Sequence, residues 1–132
     1  MDKVTELSKM IDHSLLHPTM TDEDLKTGCT LARAYNTASV CIKPYAVREA
    51  KQWLNESDVL ICTVIGFPHG NSTIAVKVFE TEQACLDGAH EIDMVVNIGK
   101  VLSKEGLGLY KEGNSRDKQS NKRSKSRIKS HF

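Results

Sequence analysis

The sequence predicts its fold most clearly in the stretch Glu91-Ile92-Asp93-Met94-Val95-Val96-Asn97. The stretch is short and rich in β-branched residues, and a glycine stands near each of its ends, as is typical of a buried strand. Side chains along a strand alternate between its two faces, so Asp93, Val95 and Asn97 are expected on one side. The side chains on the other side are all apolar. This pattern favours a strand with helices packed outside it and a lined cavity inside it.

The aspartate inside this apolar strand needs a physical reason to be there. Burying an ionised carboxylate without partners costs several kcal/mol, so strand interiors seldom contain one. From the strand alone, two interpretations of Asp93 stay open. It is either a structural carboxylate whose hydrogen bonds are satisfied, or a functional carboxylate that faces a cavity.

Strand and helix patterns alternate in the sequence that precedes this stretch. Helices are predicted over 1–11, from Thr21 to about Tyr35, from Pro44 past Leu54, and from Ser72 or Thr73 to Leu86, and strands over Ala38–Ile42 and Val59–Ile65. Alternation at this spacing indicates a parallel sheet with right-handed crossovers. A closed eight-stranded barrel needs at least ~200 residues. The prediction is therefore an α/β fold, the N-terminal and incomplete portion of a (β/α)8 TIM barrel.

The helix patterns also predict which residues pack. Gly28 weakens its helix by about 1 kcal/mol relative to alanine, which suggests close packing at that position. Lys77 is expected on an exposed or interface face of the helix that ends at Leu86. That helix is expected to pack through Ala75, Val78, Phe79 and Cys85, and the first helix to place Val4, Leu7, Met10 and Ile11 on one face.

Charge is distributed unevenly along the 132 residues. Residues 1–105 carry 10 Lys+Arg and 15 Asp+Glu, a net of −5, whereas residues 106–132 carry 8 and 2, a net of +6. The acidic first part argues against nucleic acid as the main partner. The low-complexity run from Arg116 to Arg127 predicts that 106–132 is a disordered basic tail, which leaves 1–105 as the folded domain.

The four cysteines, at positions 29, 41, 62 and 85, show no Cys-x-x-Cys spacing. They are expected to be buried free thiols, and neither a zinc site nor any other metal site is expected. No apolar run approaches the length of a membrane span, and the first residues lack the apolar core of a signal peptide. We therefore expect no membrane partner and a cytoplasmic location.

Four motifs follow one another along the chain. They are Ile11-Asp12-His13-Ser14-Leu15-Leu16-His17-Pro18, Ala38-Ser39-Val40-Cys41-Ile42, Cys62-Thr63-Val64-Ile65-Gly66-Phe67-Pro68-His69-Gly70 and Gly88-Ala89-His90-Glu91-Ile92-Asp93-Met94-Val95. In this order and at this spacing, they resemble the deoxyribose-phosphate aldolase family. The match covers about residues 8–103, roughly the first two-fifths of a family member. The resemblance implies a metal-free and cofactor-free class I aldolase, a lyase of deoxyribonucleotide and carbohydrate catabolism. Such an enzyme cleaves 2-deoxyribose 5-phosphate reversibly to acetaldehyde and glyceraldehyde 3-phosphate through a lysine Schiff base.

The resemblance also implies roles for three residues of this chain. Asp93 matches the aspartate that relays protons through water, and Asp12 and Cys41 match residues near the pocket. The Schiff-base lysine, its partner lysine and the glycine-rich phosphate site belong to later strands of the family, and nothing in this chain matches them. Neither Lys43 nor Lys77 fits the motif of the catalytic lysine.

Two hypotheses follow from the resemblance. The first is a truncated or mispredicted aldolase that acts on a small sugar phosphate and forms a homo-oligomer like its family. The second is a non-catalytic fragment that binds an aldolase subunit, or an acidic partner through its basic tail.

Overall fold

The computed structural model of the protein describes residues 2–103 and the strand backbone of 127–131. The helices are α1 (Lys3–Ser8), α2 (Asp22–Tyr35), α3 (Val47–Trp53), α4 (Ile74–Asp87) and α5 (Ile98–Leu102), with a 3-10 turn at Pro44–Ala46 before α3. The strands are β1 (Asp12–Leu15), β2 (Ser39–Ile42), β3 (Leu60–Ile65), β4 (Glu91–Val95) and β5 (Arg127–His131). No helix among the described residues is long and apolar enough to cross a membrane.

The described strands form one parallel sheet in the order β1-β2-β3-β4-β5. Each strand pairs with the next one along the chain, and a helix follows each of the first four strands. The predicted parallel α/β architecture is therefore confirmed. The outer face of the sheet packs against the helices through Val40, Ile42, Ile61, Ile65, Ile92 and Met94, all nearly or fully buried.

Two strands differ from the sequence predictions. Asp12–Leu15, which had no strand assignment, forms β1 at the edge of the sheet. The division into a folded domain at 1–105 and a disordered tail at 106–132 stays a prediction, and within that tail the backbone of Arg127–His131 forms β5 against β4. An edge strand presents unpaired N–H and C=O groups that an extended segment can bind whatever its composition. Residues 104–126 lie outside the described part of the chain.

The start and the packing of α2 follow the sequence closely. Thr21 accepts a hydrogen bond from the backbone N–H of Asp24, while the Asp24 carboxylate accepts from the Thr21 N–H, which completes the predicted capping box. The close packing at Gly28 is confirmed. A Cβ there would lie 2.9 Å from Leu15 Cδ1, so a larger residue would force the buried Leu15 side chain to move.

The predicted packing face of α4 is wrong at two of its four residues, since Val78 is half-buried and Cys85 packs, half-buried, against the core. Ala75 and Phe79 are exposed, and the residues that α4 buries are Lys77, Thr81 and Ala84. The apolar side chains Val76, Phe79 and Leu86 are 54%, 62% and 77% exposed. Because α4 carries apolar residues on more than one side, its sequence pattern alone does not fix which side faces the sheet. The apolar residues of α1 are exposed as well.

His90 joins the start of β4 to β3 through two hydrogen bonds. The Ile61 N–H donates to His90 Nδ1 at 3.0 Å, and the His90 N–H donates to the Ile61 carbonyl oxygen at 2.7 Å. Burial lowers the pKa of His90 below its ordinary value of 6.5, Lys51 lowers it further, and Glu91 opposes the shift. A lowered pKa means that, just below pH 6.5, the folded state binds fewer protons at His90 than the unfolded chain does.

We expect the free energy of unfolding to decrease as the pH falls through 6.5, the ordinary pKa of His90, because protonation then favours the unfolded chain. Urea unfolding above and below this pH measures the effect. His90→Asn keeps an acceptor near the Nδ1 position but does not titrate, and it should flatten this part of the pH profile. An unchanged profile in His90→Asn would assign the pH dependence to other groups.

Candidate active site

Four side chains from four successive strands meet on the inner face of the sheet. They are Asp12 of β1, Cys41 of β2, Cys62 of β3 and Asp93 of β4, and their ligand atoms all lie within 4.8 Å of one another. The two thiols and Asp93 are buried, with exposed fractions of 4%, 0% and 9%, whereas Asp12 is exposed. The arrangement is thus a buried polar centre that opens to solvent beside β1.

Strand register brings these residues together. Cys41 and Cys62 are Cα partners in the β2–β3 ladder, and Asp93 is the partner of Val64 in the β3–β4 ladder. A register shift of one residue would turn each of these side chains to the helix-covered face. The predicted placement of Asp93 and Cys41 on the inner face is therefore confirmed, although their chemical roles stay predictions.

Asp12 has a defined orientation although it is exposed. Its register partner in β2 is Ser39, whose hydroxyl donates a hydrogen bond of 2.6 Å to Asp12 Oδ1. Ser39 itself is 1% exposed, so its buried hydroxyl fixes the orientation of the Asp12 carboxylate. A short bond to an ionised acceptor is among the stronger hydrogen bonds of a protein. The structure thus places Asp12 beside the other three side chains, where the family resemblance predicted a pocket residue.

The cluster disfavours the thiolate form of Cys62. The hydrogen bond with Cys41 raises the pKa of Cys62 far above its ordinary value, and burial and the charges of Cys41, Asp93 and Asp12 act in the same direction. A thiol in this state is a weak nucleophile, because the thiolate is the reactive form. The chemistry that this centre supports as it stands is proton exchange and hydrogen bonding by carboxylates rather than attack by sulfur.

The positions of two residues near Asp93 were not predicted correctly from the sequence. Asn97 does not share the inner face of β4, because it lies beyond the strand and its Oδ1 accepts from the Lys100 N–H at 3.1 Å to cap α5. Glu91 does lie on that face, with 5% exposure, as the register partner of Cys62. No role was predicted for Glu91, although its spacing of two residues from Asp93 predicts the same face of the strand.

Lys43 is held outside the cluster. Its Nζ donates to the carbonyl oxygens of His17 and Met20 at 3.2 and 3.1 Å, and it lies 5.5 Å from the centre of the Tyr45 ring. These contacts tie the residue after β2 to the loop after β1. Lys43 therefore has a structural role in the described part of the chain, in agreement with the absence of a catalytic assignment.

The prediction that Lys77 lies on an exposed or interface face is wrong. Lys77 is only 9% exposed, and its Nζ donates a 2.6 Å hydrogen bond to the carbonyl oxygen of Val95 at the end of β4. Its Cε lies 2.9 Å from the point that a Cβ of Gly66 would occupy, so the glycine leaves room for the lysine stem. The hydrogen bond of Lys77 thus connects α4 to the C-terminal end of β4, the strand that contains Asp93.

We expect Lys77→Met to lower the free energy of unfolding by about 1–3 kcal/mol, because the Val95 carbonyl loses a charged donor in a buried setting. Lys26→Met, on the exposed side of α2, is the matched control and should change it by no more than about 0.5 kcal/mol. Urea denaturation of both variants measures the difference. Equal effects of the two substitutions would show that the hydrogen bond does not stabilise the fold.

Comparison with known proteins identifies the family. The sequence model of the DeoC/LacD family of aldolases matches residues 7–112. The chain belongs to this family. The deoxyribose-phosphate aldolase of Rhodopirellula baltica is 54% identical over 98 residues, which are 74% of this chain and 41% of that protein.

Solved structures of DeoC/LacD relatives agree with the fold. A crystal structure of a candidate deoxyribose-phosphate aldolase from Coccidioides immitis has a TM-score of 0.90 and 29% identity, over 98% of this chain and 50% of that one. The deoxyribose phosphate aldolase of Aeropyrum pernix, described as a tetramer, has a TM-score of 0.73 and 26% identity, over 96% of this chain and 52% of that one. The chain therefore has the fold of the N-terminal portion of TIM-barrel aldolases, and it spans less than half the length of the Rhodopirellula relative.

Proposed function

We propose that the inner face of strands β1 to β4 lines one side of a deoxyribose-phosphate aldolase active site, in which Asp93 relays protons. The observation that carries the proposal is the position of the Asp93 carboxylate. It is buried on the inner face of β4, in one cluster with the donor atoms of Asp12 and Cys41. These are the three positions that the family resemblance connects with the pocket. The substrate would be 2-deoxyribose 5-phosphate.

Asp93, Asp12 and Cys41 have different proposed roles in this site. Asp93 accepts and returns protons through a water molecule while the carbinolamine loses water and the enamine is protonated. Asp12, oriented by the Ser39 hydroxyl, holds water or a substrate hydroxyl on the solvent side of the cluster. Cys41 lines the cavity beside Cys62, its register partner.

The nucleophilic lysine is proposed to lie outside the inner face of β1 to β4. A Schiff base gives the reaction an electron sink, and forming it requires a neutral amine next to the proton relay. The ammonium groups of Lys43 and Lys77 donate instead to backbone carbonyl oxygens of the loop after β1 and of Val95. The Schiff-base lysine is therefore proposed to lie in the part of the aldolase fold that this chain does not match.

The test is to complete the barrel. Residues 1–103 are joined to the remaining C-terminal part of the Rhodopirellula baltica relative, which is 54% identical over the matched residues. We expect this chimaera to cleave 2-deoxyribose 5-phosphate and to form a borohydride-reducible adduct on a lysine of the added part. A chimaera that folds with native-like circular dichroism but neither cleaves the sugar phosphate nor forms the adduct would refute the proposed function.

Further properties of the complete enzyme stay predictions. We expect a small sugar phosphate as its ligand, no cofactor, a cytoplasmic location and a homo-oligomeric state, the last supported by the tetramer of the Aeropyrum pernix relative. The alternative function, a non-catalytic fragment that binds through its basic tail, has no specific contact in its favour. Of that tail only the backbone of Arg127–His131 is described.

A further inference from the structure

The loop of residues 66–71, which follows β3, lies beside the residues that follow β4. The two strands are parallel neighbours, so their C-terminal ends meet at the same edge of the sheet. In (β/α)8 barrels the active site lies at this edge and is built from the loops that follow the strands. The loop therefore borders the opening of the site that contains Asp93.

The loop packs directly against the end of β4. A Cβ on the buried Gly70 would lie 2.7 Å from the Val96 carbonyl carbon and 2.9 Å from Val95 Cγ1. Gly70 also has a φ of +65°, a conformation that residues with a side chain rarely adopt. Its N–H donates a hydrogen bond of 2.6 Å to the Gly66 carbonyl oxygen, which closes the loop into a turn. The turn thus rests on the strand that contains Asp93.

Two charged residues of α4 hold this turn and the end of β4 together. Glu80 Oε2 accepts a hydrogen bond of 2.8 Å from the N–H of Gly66, the first residue after β3. Lys77 donates its 2.6 Å hydrogen bond to the Val95 carbonyl oxygen. The two residues are three positions apart and therefore lie on the same side of the helix. One helix thus fixes both the start of the loop and the end of β4.

We propose that Glu80 is a positioning residue for the aldolase reaction, which acts through Gly66 and keeps the loop in the position that accepts the substrate. The inference rests on the proposed function. A hydrogen bond to an ionised carboxylate is stronger than one between neutral groups. Without it, the loop occupies the accepting position for only part of the time. The apparent affinity for the substrate then decreases by that fraction, whereas the turnover of bound substrate stays the same.

The kinetic test uses the chimaeric aldolase. Glu80→Leu removes the acceptor and keeps a side chain of similar size, so KM for 2-deoxyribose 5-phosphate should increase by about 10-fold while kcat changes by less than about twofold. Glu80→Asp keeps the charge but is one methylene shorter, and it should also increase KM. Glu80→Gln keeps an oxygen at the same reach and should restore KM. Glu49→Leu, on the exposed side of α3, is the matched control and should change neither constant.

Amide hydrogen exchange in the full 132-residue chain gives a readout that does not depend on catalysis. In Glu80→Leu and Glu80→Asp, the N–H groups of Gly66 and Gly70 should exchange about 10-fold faster, while exchange in β2 should stay the same. Glu80→Gln should keep the original rates. A residue that only stabilises the fold would instead accelerate exchange in β2 as well, because the whole sheet would open more often.

The outcomes separate this inference from the proposed function. An active chimaera in which Glu80→Leu and Glu80→Asp leave KM unchanged, or lower kcat alone, would overturn the positioning role and leave the proposed function intact. Unchanged exchange at Gly66 in both variants would overturn it too. A folded but inactive chimaera with Glu80 in place would refute the proposed function and this inference together.

Discussion

Replacing Asp93 by asparagine in the chimaeric barrel is expected to lower kcat for cleavage of 2-deoxyribose 5-phosphate by about 100-fold or more, which is the usual contribution of a general base. The amide keeps the size of the carboxylate and can still hydrogen-bond its neighbours. It has no basic oxygen, so the proton-transfer steps slow while substrate binding changes little. Steady-state kinetics should therefore show the loss in kcat rather than in KM.

Glu91→Gln is the matched control for this prediction. Glu91 lies on the same strand and the same inner face as Asp93, is equally buried, and faces Cys62 in the register. It should reduce kcat by much less than Asp93→Asn does. Unchanged turnover in Asp93→Asn, together with a large decrease in melting temperature, would show that Asp93 is a structural carboxylate.

The second prediction with a large expected effect is that the 132-residue chain alone forms no Schiff base. Incubation of the 132-residue protein with 2-deoxyribose 5-phosphate and borohydride should leave no reduced adduct, and no acetaldehyde should be released. The physical reason is that the ammonium groups of Lys43 and Lys77 are already held by backbone carbonyl oxygens at 3.2, 3.1 and 2.6 Å.

Peptide mapping after borohydride treatment decides this prediction residue by residue. Three lysines have to be followed: Lys43, Lys77 and Lys129, whose backbone is the register partner of Asp93 in the β4–β5 ladder. The chimaera provides the positive control for the trapping reaction. A reduced adduct on any of the three lysines, with catalytic release of acetaldehyde, would contradict the prediction and would show that this chain builds its own site.

The inner face of the sheet was largely predictable from the sequence, because strand alternation places Asp93 and Cys41 correctly. β1 was not predictable in this way. Of Asp12–Leu15 only Leu15 is apolar and buried, so the segment lacks the run of β-branched residues that marks a strand. Asp12 was therefore assigned by resemblance to the aldolases, and only the pairing with Ser39 explains its position.

The failure at α4 has a different cause. Burial of Lys77 depends on its hydrogen bond to Val95, which lies 18 residues further along the chain, and on the space left by Gly66. Local periodicity contains no information about a partner at that distance. A lysine in a helix is normally read as a solvent-exposed residue, because its charge is costly to bury without a bonded partner.

The strictly sequential strand order has a consequence for how the protein is made. Each strand pairs with the strand that leaves the ribosome just before it, so every contact of the ladder from β1 to β4 closes a loop of only one β–α unit. Chains with such short-range contacts assemble early, and synthesis proceeds from the N-terminus. The centre formed by Asp12, Cys41, Cys62 and Asp93 would thus be complete once β4 has emerged. Nascent chains stalled far enough beyond Val95 for β4 to have left the ribosomal tunnel should already resist mild proteolysis between β2 and β4.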